Sequence, residues 1–255
     1  MLVVVACAFA ACAHTPPATD LDALPPTIVS AFFGLDDAMP AQLEAFCSGG
    51  ANADGMPVTF SRRVAGALDP SAFSVHTRSG AVLHPRCATL RPADAQSKRH
   101  TVLLIGALGD GENDPPTSVD ITGDVLLEGD VSARGLTSTT TPLADGPTIV
   151  LALQYAANAI ASDCPRGTTD IVVAVWAGGV KPAAGRTQAD HLAAYHLDQS
   201  VPFAIGDVDD PDNYVHLCFN QRVLAKQVSC AAGIVVDPRG DLNPATGTTI
   251  HAAHP

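Results

Sequence analysis

Alternation of apolar and polar positions dominates this chain. Met56-Pro57-Val58-Thr59-Phe60-Ser61, Thr117-Ser118-Val119-Asp120-Ile121-Thr122 and Tyr214-Val215-His216-Leu217-Cys218-Phe219 repeat every second residue, the period of a half-buried strand. Continuous β-branched and apolar runs supply further strands: Thr27 to Phe33, His100 to Leu108, Thr148 to Leu153, Thr169 to Val175, Val228 to Val236 and Thr248 to His251. Ala81 to Leu83 and Cys87 to Leu90 read as short strands. Ala41 to Cys47 reads as one helical turn. Gly, Pro, Asn and Asp punctuate the intervals, as turns require. The pattern predicts an all-β protein.

The order of elements repeats. Strand, turn, a connection opening on Asp, strand, apolar strand, acidic loop and closing strand occur once in each half. Asp69 to Thr77 occupies the place that Asp190 to Gln199 takes later, the second with partial helical character. Leu103 to Pro115 and Ile234 to Pro244 each run an apolar strand into an acidic loop ending on Asn or Asp before Pro. The expected organisation is a leader over 1–12, a flexible tether over 13–26, an Ig-like β-sandwich over 27–128, a Thr/Ser-rich linker or edge over 129–145, and a second Ig-like sandwich over 146–255. A unit of roughly 100 residues with about seven short strands suits that plan.

Val58-Thr59-Phe60-Ser61 followed by Leu68-Asp69-Pro70-Ser71-Ala72-Phe73-Ser74-Val75 resembles the opening of bacterial Ig-like and cadherin-like adhesin repeats. Asp237-Pro238-Arg239-Gly240-Asp241-Leu242-Asn243-Pro244 is similar to the turn before the last strand of such repeats. The resemblance covers about half the chain, and the cysteines and the acidic connection at Asp207 depart from it. It implies tandem antiparallel sandwiches that bind a surface partner.

The composition agrees with a small-residue β core: 47% apolar, 5% aromatic, 16% charged, with 20 Pro and 21 Gly. A formal net charge of −12 disfavours nucleic acid, whose phosphates it repels, and favours cations as counterparts. Met1 to Ala11 is an apolar run too short to span a bilayer, in keeping with a secretory signal. Ala8-Phe9-Ala10 offers a cleavage site, and Phe9-Ala10-Ala11-Cys12 resembles a lipoprotein box whose Cys12 would carry a lipid anchor. Both readings place the protein outside the cytoplasm. There the body cysteines are expected to pair, Cys47 with Cys87 and Cys230 with either Cys218 or Cys164, leaving one thiol over.

Three acidic clusters carry the candidate chemistry. They are Asp110, Glu112 and Asp114; Asp207, Asp209 and Asp212, with Asp210 and Asn213 beside them; and Asp237, Asp241 and Asn243. Oxygens at alternating loop positions suit Ca²⁺, which takes 6–8 oxygen ligands, although Asp and Asn also make ordinary turns. The first cluster is not an EF-hand, having Pro115 and Ile121 where that loop needs Gly and Glu. His216, near the second cluster, is the candidate general base beside a cation-polarised carbonyl. No nucleophile elbow, phosphate loop, dinucleotide fingerprint or paired-cysteine zinc motif occurs. Two functions lead the expectations, ahead of a structural envelope lipoprotein with no ligand. One is a calcium-stabilised, extracytoplasmic pair of Ig-like sandwiches binding an envelope or extracellular partner. The other is a calcium-dependent hydrolase of a small ester or lactone.

Overall fold

The computed structural model describes residues 19–21, 25–198, 200–206 and 212–254. The leader, Cys12, Asp207, Asp209 and Asp210 lie outside them. The described chain is β throughout, relieved by 3-10 turns such as Ala41–Ala45 and Pro70–Ala72 and by the seven-residue helix Gln188–Ala194. That helix starts on a capping box: Thr187 Oγ1 accepts from Asp190 N, and Asp190 Oδ2 accepts from Thr187 N.

In the first half, one antiparallel sheet runs Ile28–Ala31, Asp54–Phe60, Thr101–Gly106, Cys87–Thr89. A second runs Thr137–Thr139, Pro116–Ile121, Phe73–Thr77, Val82–Leu83. Alternation turns Met56, Val58, Phe60, Val102 and Leu104 of the first onto Phe73, Val75, Val119 and Ile121 of the second. The first strand reaches the last through a parallel bridge, Phe32 to Thr141.

The second half repeats that pairing order. Ile149–Ala156, Asp170–Trp176, Tyr214–Phe219 and Ala204–Gly206 lie side by side, and Thr246–Ala252, Gln227–Cys230 and Tyr195–His196 form the other row. Here the first and last strands pair parallel over three residues, Ala152 to Ile250 through Gln154 to Ala252. This seam makes one continuous sheet of the two rows, both of which contribute to a core of Ala152, Val172, Trp176, Val228 and Ile250.

Asp170–Trp176 is buried at all seven positions, because its sequence after Asp170 is apolar on both faces and Asp170 Oδ2 accepts from Gln154 Nε2 and Val223 N. Ile171, Val173 and Val175 turn away from the sandwich core into a second cluster with Tyr155, Tyr214, Leu21 and Ala93.

Several expectations change. The supposed tether is docked at its end: Thr19–Asp20 pairs parallel with His251 and Ala252, and Leu21 is buried. Of the two readings of 129–145, edge rather than linker holds: the segment supplies the edge strand Thr137–Thr139 to the first half. The two acidic loops do not occupy equivalent corners. Loop 110–114 joins the third and fourth long strands of the first half, whereas loop 237–241 precedes the last strand of the second. Cys47–Cys87 forms as expected, but the second bridge is Cys164–Cys218 and Cys230 is a buried free thiol. Cys218 stands on the face opposite Leu217 and Phe219, whereas Cys230 points into the core those two share. Side chains on opposite faces cannot be bridged.

Candidate functional site

Two basic runs, Arg62-Arg63 and Lys98-Arg99-His100, border one end of the ladder between Asp54–Phe60 and Thr101–Gly106. The register Thr59 to Thr101 carries them past each other, with Phe60 N donating to His100 O and Val64 N to Arg99 O. Into this end the second half inserts Asp212-Asn213-Tyr214. Lys98 Nζ lies 2.7 Å from Asp212 Oδ2, with side chains 11% and 1% exposed, and Asp212 Oδ1 accepts from Tyr214 N at 2.7 Å. The Tyr214 hydroxyl donates to Lys98 O and accepts from His100 N and Thr101 N at 3.1 and 3.2 Å. Asn213 Nδ2 donates to Thr101 Oγ1 and to Trp176 O, both at 2.9 Å. Thr101 Oγ1 in turn meets Thr59 Oγ1 at 3.0 Å. This buried network locks the halves together.

Its electrostatics fit a structural role. Burial pushes the Tyr214 phenol up from its ordinary value. Burial also pulls His100 down to about 4, so the ring is neutral at neutral pH and its Nδ1 donates to Phe60 O at 3.2 Å. Asp212, expected as a calcium ligand, holds a lysine instead. A cation there would have to displace that ammonium.

His216 stands two residues beyond Tyr214 on the same face, 2% exposed and enclosed between Asp170–Trp176 and Ala204–Gly206. A general base needs reach to a substrate proton, and His216 lines neither of the two clefts beside the junction. Those clefts share Arg63 and Glu128, joined by two hydrogen bonds at 2.7 and 2.6 Å. The larger, about 360 Å³, sets Arg63 and Arg99 against Asp94 and Glu128, so its charges cancel and give an anion no net attraction.

In the first acidic cluster, Asp110 Oδ1 accepts from Glu112 N and Asn113 N, and Oδ2 from Asn113 Nδ2. Asp114 Oδ1 accepts from Ser79 N, and Oδ2 from Thr77 Oγ1 and Ser79 Oγ. These bonds, Asn113 foremost for Asp110 and Ser79 for Asp114, hold both carboxyls below their usual range. Glu112 is exposed at the tip. In the third cluster, Asn243 is a buckle: Oδ1 accepts from Ile234 N and Val235 N, while Nδ2 donates to Ala231 O and Pro244 O. With every hydrogen-bonding atom engaged, it has no ligand position left. Asp237 and Asp241 open and close one turn, Asp237 N donating to Asp241 O and Asp237 Oδ1 accepting from Asp241 N. Among the described residues, no three His, Cys, Asp or Glu side chains are grouped to hold a metal.

Lys98, Thr101 and Tyr214 were not candidates from the sequence, and Asn213 was named only beside the acidic run. The available signal was a Lys-Arg-His run directly before the most apolar strand of its half. No family model, curated protein or solved structure matches this chain.

Proposed function

We propose that the chain is an extracytoplasmic pair of Ig-like β-sandwiches, calcium-stabilised and non-catalytic. It would hold a rigid surface toward an envelope or extracellular partner, as adhesin-type repeats do. The observation that carries this reading is the strand order. Ordered as A, B, E, D in one row and G, F, C in the other, the strands of both halves fall into the same places. The buried Lys98–Asp212 pair and Tyr214 support a fixed angle between the units. Two disulfides fit an oxidising compartment, and Cys12 would tether the protein there through a lipid.

The ester or lactone hydrolase reading has less support, because its base His216 is enclosed by strands. The test is saturable binding of the full chain to isolated bacterial envelopes and to extracellular-matrix surfaces, run beside a panel of ester and lactone substrates. Retained binding with no turnover is the expected result. Turnover that EDTA abolishes and that His216→Ala removes without lowering the melting temperature would replace the binding role with the enzymatic one.

A further inference from the structure

The two acidic loops share the frame of one turn and differ in how their outer carboxylate oxygens are engaged. In each, one aspartate opens a three-residue loop and another closes it: Asp110 N donates to Asp114 O at 3.1 Å, and Asp237 N to Asp241 O at 3.2 Å. In each, Oδ1 of the first aspartate gathers loop amides, in the second case those of Arg239, Gly240 and Asp241 at 3.0, 2.9 and 2.9 Å. Gly240, at φ +98°, supplies the left-handed residue that closes the turn.

The difference lies in the outer oxygens. In loop 110–114 all four carboxylate oxygens of the two aspartates have donors. In loop 237–241, Asp237 Oδ2 and Asp241 Oδ2 are both closed off from solvent, and neither has a hydrogen-bond donor. Asp237 has no exposed surface. Arg239 Nε stands 3.5 Å from Asp241 Oδ2, an ion pair beyond good hydrogen-bond length on a side chain 38% exposed.

A buried carboxylate oxygen without a donor is costly, and a second carboxylate on the same turn adds repulsion. Burial, with the Asp241 charge adding to it, pushes Asp237 above its ordinary value. A positive charge beside these oxygens would offset that cost. We propose that Asp237 Oδ2 and Asp241 Oδ2 bind a hard cation, Ca²⁺ foremost, with water completing its shell. This deepens the calcium part of the function proposed above and rests on it, assigning the ion to one loop of the three.

The experiment uses the full chain, stripped with EDTA and dialysed, then melted in Ca²⁺, Mg²⁺ or Na⁺ at matched ionic strength. At a hundredfold excess over Kd, Ca²⁺ should raise the wild-type Tm by roughly 5–10 °C. Asp237→Asn, which keeps an oxygen for the three amides, and Asp241→Asn should both lose that shift. Asp110→Asn should keep it. Should Asp237→Asn fail to fold, Asp241→Asn carries the test, since its outer oxygen gives up only the half-exposed ion pair with Arg239. The assignment is overturned by a wild-type Tm indifferent to all three ions, or by a shift that survives both substitutions. Envelope binding by the wild-type chain, read beside its calcium melt, separates the two ideas. Binding without a calcium shift removes the ion alone, and a calcium shift without binding removes the partner role alone.

Discussion

Tyr214→Phe tests the junction most directly, because it deletes one oxygen and keeps the ring packed among Leu151, Val173 and Tyr155. The hydroxyl serves two amides from the other half, His100 N and Thr101 N, and donates to Lys98 O. All sit in fully buried surroundings. Each orphaned buried amide costs about 1–3 kcal/mol, and partial relaxation holds the sum near ~3 kcal/mol. For a chain of this size, 1 kcal/mol moves Tm by about 2–4 °C, so the variant should melt roughly 6–12 °C lower. Urea unfolding followed by the single tryptophan is the assay, since Trp176 is wholly buried and its carbonyl accepts from Asn213, Tyr214's neighbour. A variant within about 0.5 kcal/mol of wild type would show that the phenol does not lock the halves. Two separated unfolding transitions in the variant alone would support the lock directly.

Other outcomes follow from the same network and from the covalent frame. His100 is neutral in the fold with its pKa pulled to about 4, against about 6.5 when unfolded. Its stability contribution is therefore whole above about pH 6.5 and is lost as pH falls through about 4, a total of ~3 kcal/mol. Denaturation series at stepped pH should show this slope, and His100→Gln should flatten it. Asn243→Ala should cost about 2–4 kcal/mol by stranding the amides of Ile234 and Val235, equally with and without calcium, as read by parallel melts. Alkylation of the unfolded, unreduced protein, followed by peptide mass mapping, should mark Cys230 and spare Cys47, Cys87, Cys164 and Cys218. In the native state Cys230 should resist, because burial pushes its thiol up to about 12.

Much of the fold is legible in the sequence because strand formation is a local matter. Period-two alternation marks Asp54–Phe60, Pro116–Ile121 and Tyr214–Phe219, and β-branched runs mark Asp170–Trp176 and Thr101–Gly106. The Asp-rich turns are equally local, closing on their own amides within five residues. What the sequence hides is which strand faces which. Cys218 and Cys230 look like partners twelve residues apart until the sheet puts them on opposite faces. Loops 110–114 and 237–241 look like equivalent corners until the pairing order separates them. Asp212 reads as part of an acidic run, yet its partner Lys98 is 114 residues away. His216 reads as accessible from its polar neighbours, yet strands enclose it. Backbone preference acts over a few residues and is written in them. Burial and pairing depend on surfaces brought together from distant parts of the chain, and only the packed structure decides those.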